Sequence, residues 1–390
     1  MIGRRTLRVA GLFAGVGGLE RGLDLAGLRT ELLCEIDPAA IRVLRRRFPS
    51  VPLVPDIRDL ETLPDVEIVA AGFPCQDLSQ AGRTAGISGR SSGLVSHVFR
   101  LIADRMPRWL LLENVPFMLA LDRGRAMHYL ADQLHKLRMR WAYRVVDTRA
   151  FGLPQRRQRV ILLASRDEDP CDVLLTQDRG EPEDPTATPG SVPCGFYWTE
   201  GNRGLGWAID SVPTLKGGST VGIPSPPAIW WPGGEIVTPD IRDAERLQGF
   251  PPGWTRPAVD EDGKHNPRWR LVGNAVSVPV ARWVGSRLAS PGGYDRAGDE
   301  TAWITSTWPT AAWSDGTRVC RSNVSAWPIR DRRPSLATFL KYPTRPLSER
   351  ATAGFLARAR ASSLRFADGF LDGVAAHLTR MRRSASLPAT

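Results

Sequence analysis

The sequence predicts an α/β protein: a doubly wound, largely parallel sheet with a small irregular domain inserted into it. Three observations carry this expectation. Over the first 165 residues short apolar runs alternate with segments of helical periodicity. A glycine-rich loop, "AGVGG", separates the first run from the first helix. From residue 166 to 240 the chain turns rich in Pro, Gly, Ser, Asp and Trp, and the periodicity fades.

The elements follow in order. "TLRVAGLF" is an apolar strand ending in the glycine loop, and "LERGLDLAG" is a short helix stopped by Gly27. "TELLCEI" is a second strand. Asp37 and Pro38 then open the helix "AAIRVLRRRF", the aspartate as N-cap and the proline in the first turn. "PLVP" is a short third strand, "DVEIVAAG" a fourth, "GLVSHVFRLIADRM" a helix and "RWLLLENV" a strand. Met127, Leu130, Leu134 and Leu137 share one face of the next helix. "AYRVVDTRAF" and "RQRVILLAS" are two more strands. Such alternation of strand and helix builds a sheet covered on both faces. "EDPCDVLLTQDRGEPEDPTATPGSVP" reads as surface loop, and residues 168–265 as a small irregular domain. "RWRLVGNAVSVPVARWVGSRLA" turns from loop into an apolar helix. Trp303, Trp308 and Trp313 recur every five residues, a spacing that fits neither helix nor strand, so this stretch reads as loop-rich. Residues 348–383 read as helical, with Phe370, Val374, Leu378 and Met381 along one face.

Composition excludes several classes. The 390 residues are 42% hydrophobic and 24% charged, an ordinary globular balance. No apolar run approaches the roughly 20 residues of a membrane span, and the N-terminus lacks the pattern of a signal peptide, so a cytoplasmic protein is expected. The five cysteines are odd in number and no pair has C-x-x-C spacing; no two histidines stand at H-x-x-x-H. A disulfide framework and a structural zinc site are both disfavoured, and no metal is expected. The net charge of +11 is uneven: residues 321–390 hold 13 basic and 4 acidic side chains, whereas residues 167–184 are acidic. A polyanionic partner accounts for that asymmetry better than base composition alone.

Gly15, Gly17 and Gly18 lie between the first strand and its helix, where a backbone without side chains turns tightly and approaches a ligand. Glu35 ends the second strand, twenty residues after Gly15, where a carboxylate accepts the hydroxyls of a ribose. Asp56 follows the third strand and is placed to take an adenine amino group; a helix-cap role is the plainer alternative. The set points to an adenosine-containing cofactor. The spacing is not that of a Walker loop, which leaves NAD and S-adenosylmethionine.

Cys75, in "GFPCQDLSQAG", falls just past the carboxyl end of a strand, the edge at which open α/β sheets bind ligands. Most free cysteines are buried and inert. Here Pro74 fixes the backbone before the thiol, Gly72 allows a bend, and Glu113 ends the next strand on the same edge. Arg157 and Arg159, two apart on a strand and so on one face, are placed to lower the thiol pKa.

Six stretches, "LFAGVGG", "GFPCQDLSQAG", "LLENV", "FGLPQRRQRV", "ERLQGFP" and "RLVGNAVSVPVA", occur in an order that resembles the bacterial DNA (cytosine-5) methyltransferases. They span residues 7–290, about three quarters of the chain. The resemblance implies a Rossmann-like S-adenosylmethionine-dependent methyltransferase sheet with a small target-recognition domain inserted. Residues 1–167 would be the first part of the catalytic and cofactor-binding domain, 168–265 the recognition domain, 266–290 the completing segment and 291–390 a basic extension of unknown role. It further implies that Cys75 adds to carbon 6 of a flipped-out cytosine. Glu113 would hydrogen-bond or protonate nitrogen 3, Asn114 would hold that loop, and Arg157 and Arg159 would contact the base and steady the thiolate. Phe13, Gly15, Gly17, Gly18, Glu35, Asp56, Pro74, Asn274 and Val276 match the family's cofactor contacts. Gln76, Ser79 and Arg83 would lie on a loop that closes over DNA.

By the same resemblance the partners are double-stranded DNA and a cognate restriction endonuclease, in a restriction-modification system, with the enzyme a monomer. Two departures stand out. The family often carries Asp before "LFAG", where this chain has Gly11, and the last 100 residues match no family motif. Rival readings are an NAD-dependent oxidoreductase, which gives Cys75, Glu113 and the arginines no joint role; a cytosine methyltransferase acting on RNA; and an inactive DNA-binding regulator on the same scaffold.

Overall fold

The computed structural model describes residues 6–73, 93–183, 190–200, 204–217, 225–260, 266–301 and 307–386. Pro74, Cys75, Gln76, Ser79, Arg83 and Trp303 lie outside the described residues. The chain divides into two compact units, residues 1–151, 158–181 and 275–331 in the first and 152–157, 182–274 and 332–390 in the second.

The first unit is a ten-stranded sheet. Its parallel half has the order β5 (Trp109–Asn114), β4 (Ile68–Gly72), β1 (Arg8–Leu12), β2 (Arg29–Cys34), β3 (Leu53–Val54). The chain runs outward from β1 to β3, then crosses over to β4 and β5. That reversal opens a crevice at the carboxyl ends of β1 and β4, where α/β sheets take ligands. Both β4 and β5 are buried almost throughout, as strands covered on two faces must be. The helices α1 (Gly18–Leu25) and α2 (Pro38–Arg47) follow β1 and β2; Asp37 caps α2 by accepting from the Ala39 and Ala40 amides. One face of the sheet packs on α3 (Val95–Asp104) and α4 (Arg125–Lys136) through Val98, Phe99, Ile102, Met127, Leu130 and Leu134.

The other half of the sheet is antiparallel: β8 (Gln158–Ser165) pairs with β5 and β6 (Arg140–Asp147), and β6 continues to β15 (Ala311–Ser314), β16 (Val319–Arg321) and β14 (Glu300–Thr301). This differs from the sequence expectation of a loop after residue 290. Trp313 is a strand residue bonded to Asp299 by its indole N–H, whereas Trp308 precedes the strand and packs on His128, Trp141 and Tyr143. The two tryptophans serve different elements, so their spacing carried no period. The stretch read as surface loop also holds a helix, α5 (Pro170–Leu174), capped by Asp169. Arg144 of β6 is buried and binds the carbonyls of Leu174 (3.0 Å), Gln177 (2.6 Å) and Ser325 (3.0 Å), tying both late segments to the sheet. Burial lowers its pKa to about 10.

On the second face α1 meets α8 (Val278–Ala289). Gly18, Gly22 and Ala26 stand four apart on one side of α1. A β-carbon on Gly18 would lie 2.5 Å from the Val276 carbonyl oxygen; one on Gly22 would lie 2.5 Å from the Val278 oxygen and 2.7 Å from the Arg282 nitrogen. Backbone cannot yield as a side-chain end can. Gly22→Ala therefore lowers stability by about 1–3 kcal/mol through overpacking, outweighing the roughly 1 kcal/mol of helix propensity that alanine adds. Urea unfolding of the two proteins measures the balance; an unchanged or higher midpoint contradicts it.

The second unit holds a five-stranded antiparallel sheet, β10 (Ala208–Ile209), β9 (Cys194–Phe196), β12 (Ala228–Trp230), β13 (Ile236–Thr238), β17 (Arg345–Pro346), and a short parallel pair, β7 (Gln155–Arg156) with β11 (Val212–Pro213). Its helices are α6 (Ile241–Leu247), α7 (Arg268–Asn274), α9 (Leu336–Phe339), α10 (Glu349–Arg360) and α11 (Phe370–Ser386). The helical reading of residues 348–383 corresponds to these last two helices. Phe355, Phe370, Val374 and Leu378 bury their side chains against Phe196 and Trp230, while Met381 is half-buried. His377 is buried between two backbone groups: its Nδ1 accepts from the Ile236 amide (3.3 Å), so its Nε2 carries the proton and donates to the Leu347 carbonyl (2.9 Å). Burial lowers its pKa. Arg358 donates to the carbonyls of Trp198 (2.8 Å) and Glu200 (3.0 Å).

The division departs from the linear one read in the sequence. Residues 168–181 and 291–331 join the first unit, and 332–390 join the second, so the C-terminal 100 residues form no separate body. The physical reason is packing: apolar helix faces and four strands, three in the first sheet and one in the second, reside in a stretch whose average composition is polar and basic.

Candidate active site

The glycine loop after β1 is closed by one carboxylate. Gly15 donates its amide to Glu35 Oε2 (2.7 Å) and Asp37 donates its own to Oε1 (2.8 Å). Burial raises the Glu35 pKa, opposed by these amides. Gly15 and Gly17 have φ of 57° and 82°, the left-handed region, and Phe13 shares it at 55°. That conformation is uncommon outside glycine, and such strain collects at ligand clamps. Gly18, by contrast, is glycine because α8's leading segment crosses it. Asp56 accepts from the Arg58 amide (2.9 Å) and from its guanidinium (3.0 Å), which hold its pKa down at about 2. The geometry at Asp56 is a local turn.

At the ends of β4 and β5 the chemistry-bearing residues come together. Glu113 is 8% exposed and Arg159, on β8, places Nε 2.9 Å from Glu113 Oε1. Glu113 and Arg159 sit on adjacent strands two rungs apart, Glu113 pairing with Ile161, so the ion pair is set by register. A β-carbon on Gly72 would stand 3.2 Å from Glu113 Oε2 and 3.9 Å from Val276. Asn114 donates to the Phe73 carbonyl (2.9 Å) and accepts from the Val115 amide (2.8 Å). It therefore pins the chain two residues before Cys75. Thr148 and Ser277 hydroxyls lie 3.2 Å apart, holding the segment that carries Val276 against β6's end.

Arg157 does not share a strand with Arg159. β7 ends at Arg156 and β8 begins at Gln158; Arg157 belongs to the second unit, 1% exposed, and donates to the Leu215 carbonyl (3.2 Å). The same-face argument from a two-residue spacing therefore fails, because the strand breaks between them. Asn274 also lies in the second unit, at the end of α7, beside Gly217.

Glu20 is the third residue of α1. It is 0% exposed, and a β-carbon built on Gly11 would overlap its carboxyl. Nothing in the helix marks it out, since Asp24 stands one turn on from it; only the contact with Gly11 does.

Cys34, Cys171, Cys194 and Cys320 are buried free thiols. Burial pushes Cys34 up to about 12 and Cys194 to about 11, and raises Cys171 further. Among the described residues no three His, Cys, Asp or Glu side chains converge as a metal site, and no helix is long and apolar enough to cross a membrane.

Residues 7–190 match the family described as C-5 cytosine-specific DNA methylase. The Type II methyltransferase M2.BsuMI of Bacillus subtilis strain 168 is 50% identical over 379 residues, covering 94% of this chain and 97% of that protein. So extensive an alignment takes in most of residues 291–390. The Type II methyltransferase M.DsaV of Dactylococcopsis salina is 27% identical over 319 residues, 74% of this chain and 87% of that one. A solved structure, that of a prophage-encoded DNA modification methyltransferase of E. coli, superposes with a TM-score of 0.49 at 20% identity, over 73% of this chain and 98% of the other. The chain belongs to the C-5 cytosine-specific DNA methylase family.

Proposed function

We propose that the protein methylates carbon 5 of a flipped-out cytosine in a specific double-stranded DNA sequence, as the modification enzyme of a restriction-modification system. The observation that carries this is the buried Glu113–Arg159 pair at the strand ends beside Gly72, with Asn114 fixing the backbone at Phe73 as it leads into Pro74 and Cys75. The methyl donor is S-adenosylmethionine, which when bound supplies a methyl group on a sulfonium centre. The strained glycine loop, the Glu35 carboxylate on Gly15 and Val276 near Gly72 fit an adenosine with an amino-acid tail at the β1–β4 crevice. Phe13, Gly17, Gly18, Asp56, Pro74 and Asn274 are assigned to the same cofactor.

Cytosine carbon 5 is a poor nucleophile. Cys75 as thiolate bonds to carbon 6, and the electron pair displaced from the 5,6 double bond makes carbon 5 nucleophilic. Glu113, as the protonated acid, hydrogen-bonds the ring at nitrogen 3 and gives it a proton as addition pushes negative charge there, a proton that returns when the adduct breaks down; Arg159 orients Glu113, and Arg157 contacts the base. After methylation a base removes the carbon 5 proton, the sulfur–carbon bond breaks, and the thiolate returns. The four described cysteines, all buried, suit no such role, which favours Cys75. Gln76, Ser79 and Arg83 contact DNA. The partners are duplex DNA and a cognate endonuclease, and the enzyme acts as a cytoplasmic monomer.

Bisulfite sequencing of a plasmid from cells expressing the protein tests the whole reading. Protected cytosines confined to one short duplex motif are expected. A plasmid converted at every cytosine rejects it.

A further inference from the structure

Glu20 is the buried charge that neither the sheet nor the proposed chemistry uses. Its carboxyl is 0% exposed, and among the described residues no other residue hydrogen-bonds either oxygen; only its own backbone amide acts on it. An unsatisfied carboxyl in such a place costs several kcal/mol if charged, so a protein keeps one only where something else satisfies it. Its position says what that is. Gly11 continues the face of β1 that carries Val9, and Gly72 and Glu113 continue the faces of Ile68, Ala70 and Leu111. Glu20 thus fills the room that Gly11 leaves open, on the same side of the sheet as Gly72 and at the carboxyl end of the strand that flanks the crevice. The glycine loop that Glu35 closes connects the two, running from β1 to the helix bearing Glu20.

The surrounding charges do not satisfy it. Asp24 and Glu35 act on it as like charges. On β1, Arg8 is engaged with Asp65 and Glu67; on β2, Arg29 pairs with Glu31; on α8, Arg282 is exposed and Arg287 binds the Asp172 carbonyl and Thr176. What the site lacks is a cation with N–H donors. A sulfonium has none; an α-ammonium has three.

We propose that the Glu20 carboxylate receives the α-ammonium of the methyl donor's amino-acid end, and that it gives up a proton when that end binds. The proposal rests on S-adenosylmethionine being the donor. Burial, opposed by the residue's own backbone amide and aided by Asp24 and Glu35, raises the Glu20 pKa to about 8 in the cofactor-free protein. At pH 7 the group is then mostly neutral, and an ammonium beside it favours the charged form. Binding lowers the pKa and the proton leaves to solvent, so affinity increases as pH rises toward 8, up to tenfold per unit.

Isothermal titration at pH 7.0 in buffers of different ionisation enthalpy counts that proton. Wild type is expected to release close to one proton per S-adenosylmethionine, and Glu20→Gln none. The variant is expected to bind S-adenosylmethionine and S-adenosylhomocysteine at least tenfold more weakly, both having the ammonium. It is expected to bind 5′-methylthioadenosine, which lacks the amino-acid end, with unchanged affinity, and this arm also reports that the variant is folded. Equal loss for all three ligands would make Glu20 a packing residue and overturn the proposal, as would a wild type that binds without releasing a proton. A wild type that binds methylthioadenosine but not S-adenosylmethionine overturns the donor reading itself. A wild type that binds S-adenosylmethionine as tightly as the variant does overturns only the assignment of Glu20.

Discussion

Cys75→Ala is expected to lower the rate of methyl transfer by at least about a thousandfold, the scale on which loss of a covalent nucleophile acts. Alanine has no lone pair to add to carbon 6, so carbon 5 stays unreactive whatever else is bound. Binding should survive. The glycine loop is held by Glu35, and Asn114 fixes the backbone at Phe73 through a carbonyl that the substitution does not touch. The measurement is single-turnover transfer of labelled methyl to a duplex with the protected motif, alongside titration of the cofactor. Transfer within tenfold of wild type would show that the sulfur is not the attacking atom.

Glu113→Gln should give the next largest loss, about 100- to 10,000-fold in the single-turnover rate, the usual range for a positioned acid or base. Glutamine keeps the shape and can still accept from Arg159, whose Nε lies 2.9 Å from Glu113 Oε1, but it can neither give nitrogen 3 a proton in the complex nor carry a charge opposite Arg159 in the free protein. Because the pair is buried, weakening it also lowers stability. The rate must therefore be read at a temperature where both proteins are folded, and DNA affinity measured beside it. A variant that loses affinity in proportion to rate would make Glu113 a binding residue, and an unchanged rate would remove it from the chemistry.

Much of this was legible from local rules. The apolar strands β1, β4 and β5 and the capped helix α2 are written in adjacent residues, and Glu35 and Glu113 sit at the strand ends their spacing implied. The failures are cases where the deciding partner is remote. Asp169 and Pro170 carry the same helix-start signal as Asp37 and Pro38, but polar neighbours hid it; Cys171, Val173 and Leu174 become buried only because β6 and α8 lie across them. Arg157 and Arg159 look like one face of one strand until the chain changes unit between them. Glu20 could not be singled out without knowing that its helix lays it over Gly11. Each needed a contact outside its own element, from nine residues away for Glu20 to more than a hundred for Cys171, which periodicity does not encode.

The crossing of α1 by α8 also sets a schedule. Residues 18 to 26 leave the ribosome long before the surface that covers them, which ends at Ala289. At about 5–20 residues per second, the first helix waits roughly 13 to 50 s with its small-residue face bare. The nascent chain must reach the end of α8 before its first strand and helix can lock, so a ribosome stalled any earlier holds an enzyme with an open seam.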